Sequence, residues 1–488
     1  MVRKINIWRL PNPNEKMRGR VLEALASDGV LLEPGAISYL LEQTDPLGCA
    51  RNALSSLPQK PLVLSLEDLL SGNGGPALPE PVAPVISHKE TDIRILKDVT
   101  GSSCCDGDIS DFARYFLDRY RKIKKMLVRR RELAGAVPIS KAMKVSRDVR
   151  VVGIVNDVRT TKNGHKMLEI EDEETKCLAL IMKTSDFINE SILHDEVVGI
   201  VGKASGKGDM IIVDELIRPD IPLTNASKPN DSSSSVAFVS DIHVGSNNFL
   251  KSQWEKMISW LRSDWKKEGI DYMVISGDIV DGIGVFPNQE EELEIDDIFL
   301  QYERLAEFLK EVPDGIKMVV QPGNHDAVRP AEPQPTFSPK ITEMFDSSIM
   351  FVGNPCYLEI EGRSILTYHG RSMDDLISNI QGLSYETPIE GMKEMLRRRH
   401  LSPTYGGRTP VAPEKEDYLV IEQVPEIFVT GHVHGAGMSE YRGVRLINAS
   451  TWQAQTSFQR MHNFNPDPAK VPVVHLGDVR GQVKDFNV

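Results

Sequence analysis

Five short polar clusters between Val236 and His434 carry the residue types that metal-assisted hydrolysis uses. They are Asp241-Ile-His243, Gly277-Asp278-Ile-Val-Asp281, Gly323-Asn324-His325-Asp326, Tyr368-His369-Gly370 and Gly431-His432-Val-His434. Carboxylate, amide oxygen and neutral imidazole are competent ligands for Mn, Fe or Zn, and no thiolate is needed. Two divalent ions about 3.5–4 Å apart can hold an attacking hydroxide in line with a phosphate and neutralise its charge. Such a pair needs a bridging carboxylate and several further ligands per ion, a number the five clusters supply. Each cluster alone has a blander reading. Asp-x-His is usually surface or capping, and Gly-Asn-His-Asp suits a turn because Gly and Asn tolerate positive φ. His-x-His in a strand places both imidazoles on one face. All five together point to a metal site.

The elements that must position them are short β-branched runs. The clusters follow Val236-Ala-Phe-Val, Tyr272-Met-Val-Ile, Met318-Val-Val, Ile365-Leu and Ile427-Phe-Val in turn. An unbroken apolar run ending in polar residues reads as a buried strand delivering side chains to one sheet edge. In open α/β sheets ligands collect at the carboxyl ends of strands. Phe249 to Glu268 and Asp296 to Glu311 read as crossover helices, with the acidic stretch 288–297 between them as a solvated loop.

The order of these motifs is similar to that of the calcineurin-like metallophosphoesterases. The finer match resembles the small-subunit family of archaeal family-D DNA polymerases, related to the B-subunits of eukaryotic replicative polymerases. Its marks are "FVSDIHVGS", "ISGDIVDGIGVFPNQ", "QPGNHDAVRPAEPQP", "YHGRS" and "VTGHVHGAG", joined by "LRRRHLSPTYGGRTPVAPE", which generic phosphoesterases lack. The resemblance runs from about Asp111 to the C-terminus and implies a set of roles. Asp241, His243 and His434 would hold a first ion and Asp278 would bridge. Asn324, His369 and His432 would hold a second. His325 would stabilise the phosphorane or protonate the leaving 3′-oxygen, with Asp326 orienting it and Asp281 supporting the ligands. The matching phosphatases usually carry another residue, often Glu, where Asp326 stands, a departure that bears on metal choice.

What the resemblance implies for function is a 3′→5′ exonuclease acting on single-stranded or frayed DNA 3′ ends, for proofreading. The cofactors implied are two divalent ions, Mn²⁺ first, with Mg²⁺, Fe or Zn as alternatives. The partners are a large subunit with the polymerase site, DNA, and through the complex a sliding clamp. The competing readings are a scaffold subunit with weak or vestigial catalysis and a phosphoesterase acting on non-nucleic substrates. Nothing in the chain resembles a polymerase palm.

The fold class expected is multidomain α/β: the residue pattern gives a helical N-terminal module and an OB-fold β-barrel, and the resemblance implies a four-layer α/β/β/α calcineurin-like phosphoesterase domain. With 488 residues, 40% of them apolar, the chain can bury several cores. Residues 1–70 read as a small helical domain, with Val21, Leu22 and Leu25, then Ile37, Leu40 and Leu41, then Leu66, Leu69 and Leu70 at helical spacing. Residues 71–110, opening on "SGNGGPALPEPVAP", read as a flexible linker. Residues 111–140 hold an amphipathic basic helix whose stripe is Phe112, Tyr115, Phe116, Tyr120, Ile123 and Leu127. Its basic face suits either a DNA-backbone contact or plain solvation. Residues 141–225 change to strand periodicity with Gly turns, as an OB-fold does, and 236–488 form the phosphoesterase domain. The OB barrel has Phe187 as nearly its sole aromatic residue, so scaffolding is expected of it rather than base stacking.

Net charge is −13, so the chain taken whole repels DNA. A local basic strip or a partner must bring the strand, and Lys393 to His400, with Arg408, is a candidate patch near the centre. Five cysteines without paired spacing suit a reducing cytosol. No apolar run reaches the length of a membrane span, no export signal follows Met1, and a cytoplasmic location is expected.

Overall fold

The computed structural model describes residues 93–487 apart from 146–147, 206–209, 224, 226–228 and 462–463, together with parts of 21–69. Met1–His88 forms one compact unit and Lys89–Val488 another. The first contains helices Pro34–Leu41 and Pro46–Ser56 and a short parallel pair, β1 (Leu31–Leu32) with β2 (Val63–Leu64). Each helix opens on a proline, whose fixed φ suits the first helical position. Val21, Leu25, Leu40, Ala50, Ala53, Leu64 and Leu69 pack into one core. The expected module lacked both the strand pair and the helix Pro46–Ser56, whose Ala50 and Ala53 lie in the core with Leu47, Cys49 and Leu54 packed against it. The expected helix at 66–70 lies outside the described residues except for Leu69.

The second unit begins with β3 (Ile93–Lys97), inside the stretch expected to be a linker. It pairs antiparallel with a strand some 260 residues later, Ile93 opposite Ile360. Buried Ile93 anchors it, while Ile95 and Leu96 stay exposed, as an edge strand allows. The basic helix follows as Ile109–Leu127, shorter than expected. A run of three arginines, then Gly135 and Pro138, leaves only a 3₁₀ turn (Arg131–Leu133) and the single turn Ile139–Ala142 beyond it.

Five strands then close a barrel: β4 (Asp148–Thr160), β5 (Lys166–Glu171), β6 (Lys176–Ile181), β7 (Val197–Ala204) and β8 (Met210–Ile217). Their spatial order is β4-β5-β6-β8-β7, with β6 and β8 parallel and the other pairs antiparallel. Alternate residues, among them Val149, Val151, Leu168, Ile170, Ala179, Ile181, Ile211 and Val213, fill its interior.

The remainder contains β9 (Ser235–Val239), β10 (Ile270–Ser276), β11 (Lys317–Gln321), β12 (Met350–Phe351), β13 (Cys356–Ile360), β14 (Arg363–Thr367), β15 (Ile427–Thr430), β16 (Ala436–Tyr441), β17 (Val444–Ala449), β18 (Lys470–His475) and β19 (Gly481–Asp485). They form two six-stranded sheets, β12-β11-β10-β9-β18-β19 and β16-β17-β15-β14-β13-β3. Phe238, Tyr272, Val274 and Val319 of the first meet Leu358, Ile365, Ile427 and Ile447 of the second in a central apolar layer. Helices Lys251–Glu268 and Ile298–Leu309 cover the outer face of the first sheet through Trp254, Met257, Leu261 and Leu305. Helices Met373–Asn379 and Pro388–Arg398 cover the second. The order across the domain is helix, sheet, sheet, helix. β9, β10 and β11 run parallel, as do β14, β15 and β17, so each sheet points carboxyl ends toward one rim.

Helix Ile109–Leu127 joins the barrel to the two-sheet domain. Tyr120, Ile123 and Leu127 pack on Val152, Ile154 and Val197, while Tyr115 enters the core outside the second sheet. Arg119, fully buried, pairs through Nε with Asp417 at 2.8 Å and donates from Nη1 to the Pro403 carbonyl at 2.5 Å. His400 Nε2 meets the same Asp417 oxygen at 2.8 Å, and its Nδ1 accepts from Ser402 N–H at 3.0 Å. Lys122 pairs with Asp118 and Glu416, and Arg121 with Glu173. Much of the candidate basic patch, which could equally be a DNA-steering strip or a surface or subunit contact, is engaged in the same way. Arg398 pairs with Glu196 of the barrel at 2.7 Å and with Glu394, Arg397 reaches Glu190 at 3.1 Å, and Arg399 donates to the carbonyls of Ile421 and Glu422. Complementary carboxylates across the barrel contact, invisible in a local window, turn these residues into a staple.

Candidate metal centre

All five clusters lie at the shared rim, directly after β9, β10, β11, β14 and β15. Their backbones are unusual. Asp241, His243, Asp278, His432 and His434 have φ of 51°, 53°, 49°, 68° and 50°. The left-handed region costs a residue with a Cβ about 1–3 kcal/mol, and such strain collects at functional sites. Here it turns short strand ends so sharply that neighbouring side chains converge. The turn after β15 also needs Gly431, because a Cβ there would run into Ser240 Oγ and an Asp241 carboxylate oxygen. That close approach lets the His432 N–H donate to Asp241 at 2.9 Å.

Two groups of acceptors result. In the first, His243 Nε2 lies 3.1 Å from His434 Nε2, which is 3.4 Å from Asp241 Oδ1. In the second, His369 Nε2 lies 3.1 Å from Asp278 Oδ2 and 3.1 Å from Asn324 Oδ1. A ring nitrogen of His432 joins this second group, its ligand atoms within 4.8 Å of one another. Asp278 stands between the groups, its Oδ2 also 4.0 Å from His243 Nε2 and from His325 Nε2.

The opposite ring nitrogens fix the tautomers. His369 Nδ1 donates to the Ser276 carbonyl at 2.9 Å, and His243 Nδ1 donates to Asp281 Oδ1 at 3.0 Å. Both Nε2 lone pairs therefore face oxygen or nitrogen acceptors, a donor set that a cation satisfies and that only added protons otherwise relieve. Burial opposes charge on these imidazoles, yet the contacts with Asp241 and Asp281 raise His243 to about 10, and Asp278 raises His369 to about 9. Burial likewise disfavours the Asp278 and Asp241 carboxylates, but the surrounding histidines hold both well below the usual range. The residues present fit divalent cation binding.

His325 sits beside this centre. Its Nδ1 donates to the Asp281 carbonyl at 2.7 Å, leaving Nε2 directed toward Asp278, and burial lowers its pKa. Asp326 does not orient it. The turn after Asn324 sends the Asp326 carboxylate back beneath the strand ends, where it accepts from Gly323 N–H at 2.8 Å and Ile279 N–H at 3.3 Å. Burial and the nearby Asp278 raise its pKa to about 7. It braces the β10 and β11 loops against each other, and the orienting role falls to Asp281.

Supporting residues that the motifs did not reveal are Asp374, whose Oδ2 lies 3.3 Å from His432 Nε2, Gln459, 2.9 Å from His434 Nδ1, and Gln453, which donates to Asp281 Oδ1 at 2.9 Å. Asp374 in a helix first turn reads as a dipole complement. Gln453 and Gln459 lie beyond the last motif, and no local signal marks them.

The chain is similar to known proteins. Residues 236–436 match the family model described as the DNA polymerase alpha/epsilon B subunit. The chain is 40% identical over 476 residues to the DNA polymerase II small subunit of Thermoplasma acidophilum, covering 96% of this chain and 93% of that one. It is 46% identical over 394 residues to that of Archaeoglobus fulgidus, covering 79% of each. Among solved structures it is similar to an archaeal phosphodiesterase, at 12% identity and a TM-score of 0.27, covering 51% of this chain and 98% of that one. With identity of this order running through nearly the whole length of a relative, the chain belongs to the family of DNA polymerase II small subunits.

Proposed function

We propose that the chain is the exonuclease-bearing small subunit of a heterodimeric DNA polymerase, removing nucleotides from single-stranded or frayed 3′ ends as a proofreader. The observation that carries this reading is the set of facing acceptors around Asp278, with the His325 ring beside them. Asp241, His243 and His434 would hold one divalent ion, Asn324, His369 and His432 the other, and Asp278 would be shared. Mn²⁺ suits this oxygen- and imidazole-rich set, with Mg²⁺, Fe and Zn as further candidates. When bound, such a pair activates water and neutralises a phosphodiester.

The chain's own groups do the rest. Asp281 holds His243 and His325 through separate oxygens, so ligand and proton carrier move as one unit. Because burial keeps His325 neutral, its Nε2 lone pair is open until an anionic phosphodiester arrives and favours the imidazolium. That imidazolium is positioned to protonate the departing 3′-oxygen, releasing a nucleoside 5′-monophosphate. The barrel, read as an OB-fold, serves as scaffold. The relatives' printed name, a small subunit, supports a large catalytic partner that brings the DNA to this acidic chain, with any sliding clamp reached through the complex.

The test is a uniformly labelled single strand incubated with the chain and Mn²⁺, alone and with the large subunit. Stepwise mononucleotide release that disappears in Asp278→Ala and His325→Ala is expected. Release that persists in both variants, or hydrolysis of small phosphomonoesters with no nucleolysis, overturns the proposal.

A further inference from the structure

The basic residues of this chain are not all used alike. Arg119, Arg121, Lys122 and the arginines at 397–399 are consumed by carboxylates and carbonyls of the chain itself. From Lys124 to Val145 the balance is different: seven lysines and arginines stand against one carboxylate, Glu132, in a chain of net charge −13. Lys125, Arg129, Arg131, Lys141 and Lys144 are exposed, and among the described residues none of the five has a carboxylate within ion-pair reach. Lys124 and Lys125, in the last turn of helix Ile109–Leu127, have a blander use as complements of its dipole. That effect ends with the helix, and Arg131, Lys141 and Lys144 lie beyond it.

The segment is pinned to one end of the barrel, so its charges keep fixed places. Leu133 is buried between the helix and the barrel, so close to β7 that a Cβ at Gly199 would run into it. Ile139 and Ala142 enter the barrel core, and the Ile139 N–H donates to Asp172 at 2.7 Å. Arg150, at the start of β4, donates from Nε to the Glu132 carbonyl at 2.9 Å, and its own carbonyl accepts from Val137 N–H at 2.9 Å. Arg130 donates to the Pro219 carbonyl at 3.3 Å, just past the last barrel strand. The pairing of β4 with β7 brings up Lys203, exposed and opposite Asp148, close to exposed Arg150. Apolar side chains thus face the barrel, and the cations are left in solvent. Like charges fixed side by side repel one another, a cost that a polyanion removes.

We propose that this surface, from the end of helix Ile109–Leu127 to Lys144, is a docking strip for the sugar-phosphate backbone of duplex DNA. Single strands are gripped by aromatic faces set among the cations. Residues 124–145 contain no Phe, Tyr or Trp, so base stacking has no foothold there. A duplex keeps its bases inside and offers phosphates, for which lysine and arginine suffice. An acidic protein surface is the less suitable occupant, because protein interfaces are depleted in lysine and in charge at their centres. The strip supplies grip and orientation without reading sequence, and it gives an otherwise DNA-repelling chain its own hold on a duplex. It does not depend on the nuclease proposal, since none of its residues belongs to the metal centre.

The experiment measures binding of a fluorescein-labelled blunt duplex to the full chain by anisotropy, in chelator, over a range of NaCl concentrations. The combined variant Arg129→Gln/Lys141→Gln/Lys144→Gln is expected to weaken binding at least about ten-fold at low salt. It should also flatten the dependence of log Kd on log salt by about one for each charge removed. Lys251→Gln/Lys267→Gln/Arg304→Gln removes the same charge from exposed positions on the helices outside the first sheet, and should keep the wild-type affinity and slope. Wild-type binding and slope in the strip variant overturn the assignment, as does an equal loss in the control, which would trace the effect to net charge alone. A loss confined to single strands, or loss of the large subunit with duplex binding intact, overturns it too. So does a wild-type chain that leaves the duplex unbound at low salt. Chelator removes any ion-dependent hydrolysis, so the outcome stands apart from mononucleotide release, on which the nuclease proposal is judged.

Discussion

Among the described residues, two buried clusters of histidine and aspartate are built on opposite principles. At the candidate metal centre, imidazole nitrogens and carboxylate oxygens face one another, with no lysine or arginine in the groups formed by the described residues. At the junction of helix Ile109–Leu127 with the loop after Arg399, Arg119 supplies the positive charge and Asp417 the negative one. His400 there is neutral, accepting from Ser402 and donating to Asp417. One cluster is an electrostatic deficit that an external cation can fill, and the other is closed. Residue type therefore does not separate chemistry from scaffolding; charge balance and the direction of lone pairs do.

That contrast can be broken most directly at Asp278. Asp278→Asn should lower mononucleotide release by at least about three orders of magnitude, since a shared ligand is lost, while the ion-free chain still folds. Activity within ten-fold of wild type would place the chemistry elsewhere. The corresponding change at the closed cluster acts on stability. Arg119→Met leaves the Asp417 carboxylate buried and uncompensated, a loss of about 3–5 kcal/mol read by denaturant unfolding, with turnover per folded molecule retained.

Acidity should move the two clusters in opposite directions. Burial, aided by Arg119, lowers His400 to about 4 against an ordinary 6.5, so the unfolded chain binds a proton that the folded one refuses. Its contribution is complete above pH 6.5 and falls away by about 3 kcal/mol as pH drops to 4. His243 and His369, raised to about 10 and 9, contribute fully below pH 6.5 in the ion-free chain and lose that contribution as pH climbs through 9–10. Urea midpoints measured in chelator from pH 4 to 10 should therefore decline at both ends. His400→Gln should flatten the acid limb alone, and an unchanged acid limb counts against a neutral His400. The smallest effect is expected at Arg121→Ala, whose exposed pairing with Glu173 should leave the unfolding midpoint where it was.

The metal centre was far more legible in sequence than its surroundings. Each candidate ligand follows an apolar run by two to five residues, so strand ends and chemistry share one short window, and Asp241 through His434 could be read in order as candidates. The parts that were missed depend on long-range partners. Arg397 and Arg398 look like a free basic patch until Glu190 and Glu196 arrive from the barrel. β3 looks like a linker because its pairing partner lies some 260 residues away. Asp326 looks like the mate of His325 because it is adjacent, whereas the turn points the two side chains apart.

β3 and helix Ile109–Leu127 precede the barrel in the chain yet attach to the domain that follows it. The barrel is thus an insertion, tethered at both ends to one body, with little freedom to swing away from the rim. Expression boundaries drawn from the family match alone, at residue 236, would peel a strand from the second sheet and strip Asp417 of its counter-charge. A fragment beginning near Lys89 keeps both, and leaves the second compact unit whole.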